Sequence, residues 1–471
     1  MIVRRLFEPG LAQASYLIAC AASGEAIVID PNRDIDMYLA AAADEHVRIS
    51  HVTETHIHAD FLSGSRELAR RARAVLHLSD EGDAAWKYRF AGEGRLLKHG
   101  TRIEVGRVIV EAVHTPGHTP EHLTFLVTDG AVANAPMAAL TGDFVFVGDV
   151  GRPDLLERAA NERGTMETGA RTLYRSLRAF DAGRDEWLQI WPGHGAGSSC
   201  GKGISAVPHS TLGYERRFNW AFRVADEDAF VRSVLAGQPE PPTYFAAMKR
   251  LNKQGPPILG GFRVPERLDD RRLESLIAEC ATIVDTRPAE AFADRHIRGT
   301  INIPFTNSFA TWFGWLVSYD VPLYLIVEDA VPERLTDLVR MLALIGHDHL
   351  AGFFGTSAIA TAAPSGATSR TASIAPGQVA AALDRGEITV VDVRGAAEWQ
   401  EGHLRDARHI PLGYLLNRLG ELPADRPVVV HCQGGSRSAI AASLLERAGV
   451  SDVRNMTAGY AGWKEAGLPT L

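Results

Sequence analysis

Val428-Val429-Val430-His431-Cys432-Gln433-Gly434-Gly435-Ser436-Arg437-Ser438 is a β-branched apolar run that empties into a glycine-rich loop closed by an arginine. The run reads as a buried strand, and the pattern after it as a helix starting near Ser438. A sulfur at Cys432 then faces successive loop amides and the positive end of that helix, a setting that favours the nucleophilic thiolate. The block containing this loop has an earlier copy. Asp285-Thr286-Arg287 and Asp392-Val393-Arg394 stand 107 positions apart (285 to 392), as do His296 and His403, and Pro304 and Pro411. Each copy opens on a buried strand (Ala281–Asp285, Ile388–Asp392) and continues into helical patterns, which implies a small parallel α/β unit. Where the second copy has Cys432, the first has Val327, followed by Glu328-Asp329 in place of the glycines. An apolar side chain and two carboxylates cannot cradle a sulfur anion, so the first copy is expected to be structural.

The bulk of the chain bounds the rest. Its 471 residues exceed one hydrophobic core, and 46% apolar with 23% charged residues is the balance of a globular protein. A formal charge of -8 offers no basic face for nucleic acid. No apolar run approaches the roughly 18 residues of a membrane helix. Met1–Gly10 has no apolar core of a secretory signal. The four scattered cysteines, Cys20, Cys200, Cys280 and Cys432, fit reduced thiols and a cytoplasmic setting better than a disulfide framework.

The segment 1–255 alternates β-rich runs such as Ala26–Asp30 and Arg107–Val113 with turns and helical stretches. It is followed by the first copy (256–360), an Ala/Ser/Thr/Pro-rich stretch (361–373) that reads as a flexible linker, and the second copy (374–471). Within 1–255 lie four clusters, each at the end of a β-rich run. They are Thr55-His56-Ile57-His58-Ala59-Asp60-Phe61, His114-Thr115-Pro116-Gly117-His118, Thr141-Gly142-Asp143 and Trp191-Pro192-Gly193-His194. One histidine is usually an ordinary packed residue. Four clusters on loops held by a rigid sheet are a pattern for a metal site.

The last hundred residues resemble the rhodanese family through Asp392-Val393-Arg394, Glu398-Trp399, Gly402-His403-Leu404, Ala407, Ile410-Pro411, the Cys432–Arg437 loop and Gly459-Tyr460-Ala461-Gly462-Trp463. The resemblance implies that Cys432 accepts a sulfane sulfur as a persulfide and passes it on. Arg437 would steady the anionic sulfur, and Gln433, Gly434, Gly435, Ser436 and Ser438 would supply amides or hydroxyls. Dual-specificity phosphatases have a similar loop with five residues between cysteine and arginine. Here there are four, Gln433 to Ser436, a shorter cradle better suited to sulfur than to phosphate.

The four clusters, in their order, resemble the metallo-β-lactamase family over about the first 250 residues. The expected fold is therefore α/β and multidomain, an αββα metallo-β-lactamase sandwich followed by two α/β rhodanese-like domains. Family members with two metals have a histidine directly after the aspartate. This chain has Phe61 there, which argues for one metal. Within the superfamily the resemblance is to persulfide dioxygenases, which implies one Fe(II) per chain on His56, His118 and Asp143. Two histidines and one carboxylate with open positions suit a non-heme Fe(II) oxygenase. His58, Asp60 and His194 would orient the ligands, or else ligate directly as weaker candidates.

Arg152 would bind a carboxylate of the substrate thiol, or else pair with Asp154 or Asp149. Cys200, with Lys202 near, would receive or relay a persulfide, or else be incidental. Glyoxalase-type relatives that bind glutathione carry an aromatic residue soon after the last motif histidine. Gly195–Lys202 has none, which argues against glutathione as carrier. The implied reaction takes a low-molecular-weight thiol persulfide and O2 to sulfite and thiol, with thiosulfate formed or used at Cys432, in sulfide detoxification. Neither nucleic acid nor membrane is expected as a partner, and a homo-oligomer only by analogy. Two rivals remain: a zinc-dependent thioester hydrolase with a rhodanese appendage, and a sulfur-carrier module in which neither site turns over.

Overall fold

The structure, a computed structural model, describes residues 1–155, 157, 164–328 and 332–471. Asp329 lies outside the described residues. The chain divides into two compact units, one made of Met1–Phe262 with Arg340–Gly346, the other of Arg263–Val339 with His347–Leu471. No helix among the described residues is long and apolar enough to cross a membrane.

The first unit holds two six-stranded sheets. One runs in sequence order through β1 (Ile2–Glu8), β2 (Gln13–Cys20), β3 (Glu25–Ile29), β4 (Arg48–Thr53), β5 (Val75–Ser79) and β6 (Arg95–Leu97). The other contains β7 (Arg102–Val105), β8 (Val108–His114), β9 (Leu123–Asp129), β10 (Ala138–Gly142), β11 (Gln189–Pro192) and β12 (Ser210–Thr211), again neighbour by neighbour. Period-two alternation sends successive residues to opposite faces, and β2 buries both. Tyr16 and Ile18 pack with Val110, Leu123 and Phe125 between the sheets. Leu17 and Ala19 pack outward with Tyr38 and Leu68, from the helices Ile35–Asp44 and Ser65–Ala72. On the far side, Leu126 and Ala139 meet Leu173 and Leu177 of the helix Thr165–Asp181. The result is an αββα sandwich.

This unit extends past the expected boundary at 255 and takes in Arg340–Gly346 from inside the first repeat. Backbone valence explains the capture. The Leu62 amide donates to Leu344 O at 2.8 Å, and the buried Arg33 guanidinium donates to Ala343 O at 3.2 Å.

In the second unit the two repeats each build a parallel sheet. The first has the order β15 (Ile301–Asn302), β13 (Thr282–Asp285), β16 (Leu323–Val327), β17 (Leu350–Gly355). The second has β21 (Arg408–His409), β20 (Thr389–Asp392), β22 (Val428–His431), β23 (Val453–Met456), with β19 (Ala372–Ile374) on the edge. Strand for strand, the order is the same. The stretch 361–373, expected as a flexible linker, is ordered instead. β18 (Thr368–Ser369) pairs with β14 (His296–Ile297) of the first copy, and β19 starts at Ala372 and pairs with β23 of the second. Short strands satisfy backbone groups that a free linker would leave to water.

Each repeat is pinned by a buried fork. Arg287 and Arg394 reach back two residues to Asp285 and Asp392, with shortest contacts of 2.7 and 2.6 Å. Arg394 also donates to Gly402 O at 2.8 Å and lies 4.0 Å from the Tyr460 ring centroid. Replacing it by Leu leaves the Asp392 charge buried and unpaired. The Arg394→Leu variant is expected to lose about 3–5 kcal/mol in urea unfolding of this unit, and a loss below about 1 kcal/mol would remove the fork from the account of its stability.

Candidate functional site

The four clusters converge because each follows the carboxyl end of a strand, β4, β8, β10 or β11. His56, His118 and Asp143 offer three ligand atoms within 4.8 Å of one another, all buried. His118 Nε2 lies 3.5 Å and His56 Nε2 4.0 Å from Asp143 Oδ2. His56 Nε2 and Asp143 Oδ2 are buried without a hydrogen-bond partner among the described residues. Buried polar atoms are normally satisfied, so two orphans facing one point are what a bound cation would fill.

Hydrogen-bond direction fixes the tautomers. Thr55 Oγ1 donates to Asp30 Oδ2 at 2.9 Å, so it must accept from His56 Nδ1–H, also at 2.9 Å. That leaves the His56 Nε2 lone pair free. His118 likewise donates through Nδ1 to Arg152 O at 2.9 Å, freeing Nε2. Burial, followed for His56 by the charge of His58, lowers the pKa of both rings and keeps them neutral. Burial works against the Asp143 charge, but His194 and then His118 and His56 hold its carboxyl well below the usual range. Two neutral imidazoles and one carboxylate are the protonation states a divalent metal needs.

Asp30 organises this loop and was missed from the sequence, where it reads only as the end of a β-rich run. It adopts φ +54°, and its Oδ1 accepts from the Thr55 amide at 2.6 Å and from His58 Nε2 at 3.1 Å. Its signal was a charged residue closing an otherwise apolar strand. His122 is not a ligand. Its Nε2 accepts the Asp143 amide at 3.2 Å and its Nδ1 donates to Thr115 Oγ1 at 2.9 Å. Gly142, at φ +48°, lets these groups close in, since a Cβ there would stand 2.5 Å from Thr55 Oγ1 and 2.8 Å from His122 Nε2.

Asp60, His194 and Cys200 form a second buried group whose ligand atoms also lie within 4.8 Å of one another. His194 bridges two carboxylates, Nδ1 to Asp143 Oδ1 at 2.6 Å and Nε2 to Asp60 Oδ2 at 2.7 Å. Both its nitrogens are thereby spent, and despite burial the two carboxylates hold its pKa well above the usual histidine range. Phe61 is buried with its ring centroid 4.3 Å from that of His58. Cys200 is buried, and burial followed by the Asp143 and Asp60 charges pushes its thiol up, keeping it protonated.

Of the two readings of Arg152, the structure shows the pairing with Asp154, and Lys202 is engaged elsewhere. Arg152 is wholly buried, with Nε and Nη2 on Asp154 at 2.8 and 2.7 Å and Nη1 on Ser199 O at 3.0 Å. Its guanidinium is consumed bracing the loop that carries the His118 acceptor. Lys202 turns its Nζ to Ser233 O and Ala236 O, capping the end of a helix instead of facing substrate.

In the second unit Cys432 follows β22 directly. The Gly435 amide donates to Sγ at 3.1 Å and the Ser438 hydroxyl lies 3.6 Å away. Gly435 has φ +106°, which starts the helix Ser436–Arg447. Arg437 is held bidentately by Glu398 at 2.6 and 2.7 Å, a positioning partner to which the sequence had given no role. In the first copy, Val327 takes the Cys432 place and Glu328 pairs with Arg334.

Residues 9–194 match the metallo-beta-lactamase superfamily, and residues 375–466 match the rhodanese-like domain. A solved metallo-beta-lactamase chain of Staphylococcus aureus is similar at 39% identity and TM-score 0.67, covering 75% of this chain and 98% of that one. A probable metallo-hydrolase of Burkholderia pseudomallei is 32% identical over 38% of this chain and 67% of its own length. A persulfide dioxygenase of Bos taurus is 29% identical over 38% of this chain and 61% of its own length. The chain thus spans less than two thirds of the bovine relative that it matches.

The Asp30 network yields a measurement independent of turnover. Asp30→Ala frees Thr55 and His58 and is expected to weaken metal binding roughly 10–100-fold in chelator competition. An unchanged affinity would mean that the loop holds its shape without Asp30.

Proposed function

We propose, for a chain that belongs to the metallo-beta-lactamase superfamily and carries a rhodanese-like domain at residues 375–466, that it oxidises persulfides and transfers sulfur at separate sites. The observation that carries the reading is the buried His56–His118–Asp143 set, with its tautomers fixed and its donor atoms unpartnered. The overall reaction would be RSSH + O2 + H2O giving RSH and sulfurous acid, which ionises to sulfite. Fe(II) is the metal that suits two imidazoles and one carboxylate with open positions, and it would supply those positions to dioxygen and a substrate sulfur.

The protein's own groups do the rest. Thr55 and Arg152 O hold the two imidazoles in the ligating tautomer, and His122 anchors the Asp143 backbone. His194 braces the second oxygen of Asp143 against Asp60. Burial keeps bulk water from the centre. Cys200, protonated and close to both carboxylates, would meet a sulfur that enters.

At Cys432 the loop amide of Gly435 and the Ser438 hydroxyl would stabilise sulfur anion, with Arg437 oriented by Glu398. A sulfite sulfur attacking the outer atom of a Cys432 persulfide forms a new S–S bond as the old one breaks. Thiosulfate leaves and Cys432 returns as thiolate. The first copy, with Val327 at that place, would be structural. The physiological role would be sulfide detoxification.

A second reading, a two-zinc hydrolase, is favoured by the Asp60–His194–Cys200 group and by the Burkholderia relative. Phe61 and the spent nitrogens of His194 count against it.

Metal analysis and paired variants separate these. The protein is expected to hold one iron per chain and to consume O2 with a small-molecule persulfide. Asp143→Ala is expected to lose iron and O2 uptake while thiosulfate-to-cyanide transfer persists. Cys432→Ser is expected to keep sulfite production and lose thiosulfate. Two zincs per chain without O2 uptake would replace the reading by the hydrolase. Loss of both activities in either variant would contradict separate sites.

A further inference from the structure

The guanidinium that closes the cysteine loop meets two anionic groups at once. Arg437 Nη1 and Nη2 donate to Glu398 Oε2 and Oε1 at 2.6 and 2.7 Å, and the Cys432 sulfur is a further partner of the same group. Burial works against the charge of Arg437, but the Glu398 carboxylate and then the Cys432 sulfur raise its pKa and keep it a cation. Glu398 Oε2 also accepts the Gly395 amide at 3.1 Å, which fixes the carboxylate at the start of the helix Ala396–Gln400. The other groups on Sγ, the Gly435 amide and the Ser438 hydroxyl, are neutral. The full positive charge offered to a sulfur anion is therefore that of Arg437, and Glu398 offsets it. Both side chains of the pair are partly exposed, at 23% and 34%, so an anion in solvent has access to them.

The repeats show that this pair goes with the cysteine loop and not with the scaffold. Glu398 stands where the first copy has Ala291, 107 positions earlier (291 to 398), the offset shared by the two Asp–Arg forks. The two residues lie on helices in the same register, Ala289–Asp294 and Ala396–Gln400. Arg437 comes five residues after Cys432, and five residues after Val327 comes Pro332. The copy without the sulfur thus lacks both the arginine and the acid, while it has the buried fork. Its helix starts without such a carboxylate, so the scaffold does not require one there.

We propose that Glu398 is a specificity-determining residue of the sulfur-transfer site, which by offsetting Arg437 disfavours doubly charged sulfur donors such as thiosulfate relative to singly charged ones such as a persulfide anion. The inference rests on the sulfur-transfer reading of Cys432 and adds the charge class of its donor. Each negative charge on a donor gains from Arg437 and loses to Glu398, so with the pair intact a second charge gains the donor little. In the donor step the Cys432 thiolate attacks the outer sulfur of the donor. A new S–S bond forms as the donor's own S–S bond breaks. The leaving group, sulfite from thiosulfate or a thiolate from a persulfide, takes the electron pair, and no oxidant is consumed.

The test uses the full chain with cyanide as acceptor and compares two donors, thiosulfate with two negative charges and methanethiosulfonate with one. Taking the ratio of their kcat/KM values in a variant relative to wild type cancels the intrinsic reactivity of the donors. Glu398→Gln removes the charge and retains an oxygen for the Gly395 amide. It is expected to raise the preference for thiosulfate about threefold, the scale of one partly exposed ion pair. Glu398→Asp keeps the charge and is expected to keep the wild-type ratio. If Glu398 only held Arg437 in place, the Gln variant would lose both donors in the same proportion. An unchanged or lowered ratio, a loss of both donors in that variant, or an equal rise in the Asp variant overturns this inference alone. Absence of cyanide transfer in the wild type overturns the sulfur-transfer reading and the inference with it.

Discussion

The metal loop depends on one carboxylate that never touches the metal position. Asp30 sits at the end of β3 in a left-handed conformation and gathers the Thr55 amide, the Thr55 hydroxyl and the His58 ring onto its two oxygens. Its own carbonyl accepts from Gln13 Nε2 and Ser15 Oγ, both at 2.8 Å, so the acceptor is itself fixed from β2. The chain of constraint runs from a buried sheet, through a strained residue, to the ring tautomer of a ligand. A ligand held this way loses little entropy when metal arrives.

The cysteine site applies the same economy of backbone to a different atom. Its strand is buried on both faces, and the next helix begins at a left-handed glycine, so a loop amide has nowhere to point but at the sulfur. Gly459 lets the final helix close over the loop, since a Cβ there would stand 2.4 Å from Cys432 O. Tyr460 and Ala461 then donate to the Cys432 and Gln433 carbonyls at 2.7 and 3.0 Å. Gly459 is required for this close approach, whereas Gly435 supplies the left-handed turn at φ +106°.

These arrangements were unequally legible in the sequence. Strand ends carrying His56, His118, Asp143 and His194 announced themselves because ligand chemistry restricts residue type and loops expose it. The matching places of Cys432 and Val327 at the ends of paired central strands were legible from a fixed repeat register. Asp30 and Glu398 were not, because a hydrogen-bonding partner distant in sequence has no local pattern. Arg152 stayed open between a substrate carboxylate and Asp154 for the converse reason. A guanidinium next to a motif looks available until burial shows that Asp154 and Ser199 O have consumed it. The stretch 361–373 misled through composition, since small and polar residues suit an edge strand pairing with a neighbour as well as they suit a free linker.

Comparison of the repeats separates what the scaffold needs from what the chemistry needs. The Asp–Arg fork survives in both copies, as does a histidine stacked on the aromatic ring four residues before it, His296 on Phe292 at 4.0 Å and His403 on Trp399 at 3.7 Å. Those features pack a sheet edge and say nothing about sulfur. The loop after the central strand diverges, as do the edge strand β19, present only in the second sheet, and the segment before the central strand, a helix at Phe309–Leu316 in the first copy. The first copy nevertheless reaches the helix that follows Cys432, because Ser443 accepts the Asn302 amide at 3.0 Å and Arg447 donates to Gly299 O at 2.8 Å. Glu446 adds a contact to His296 at 3.1 Å. The helix whose first turn shapes the cysteine loop is thus anchored at its far end by the copy without a nucleophile. The loop after the central strand of the first copy can therefore differ from the cysteine loop while the surface that anchors this helix stays in place.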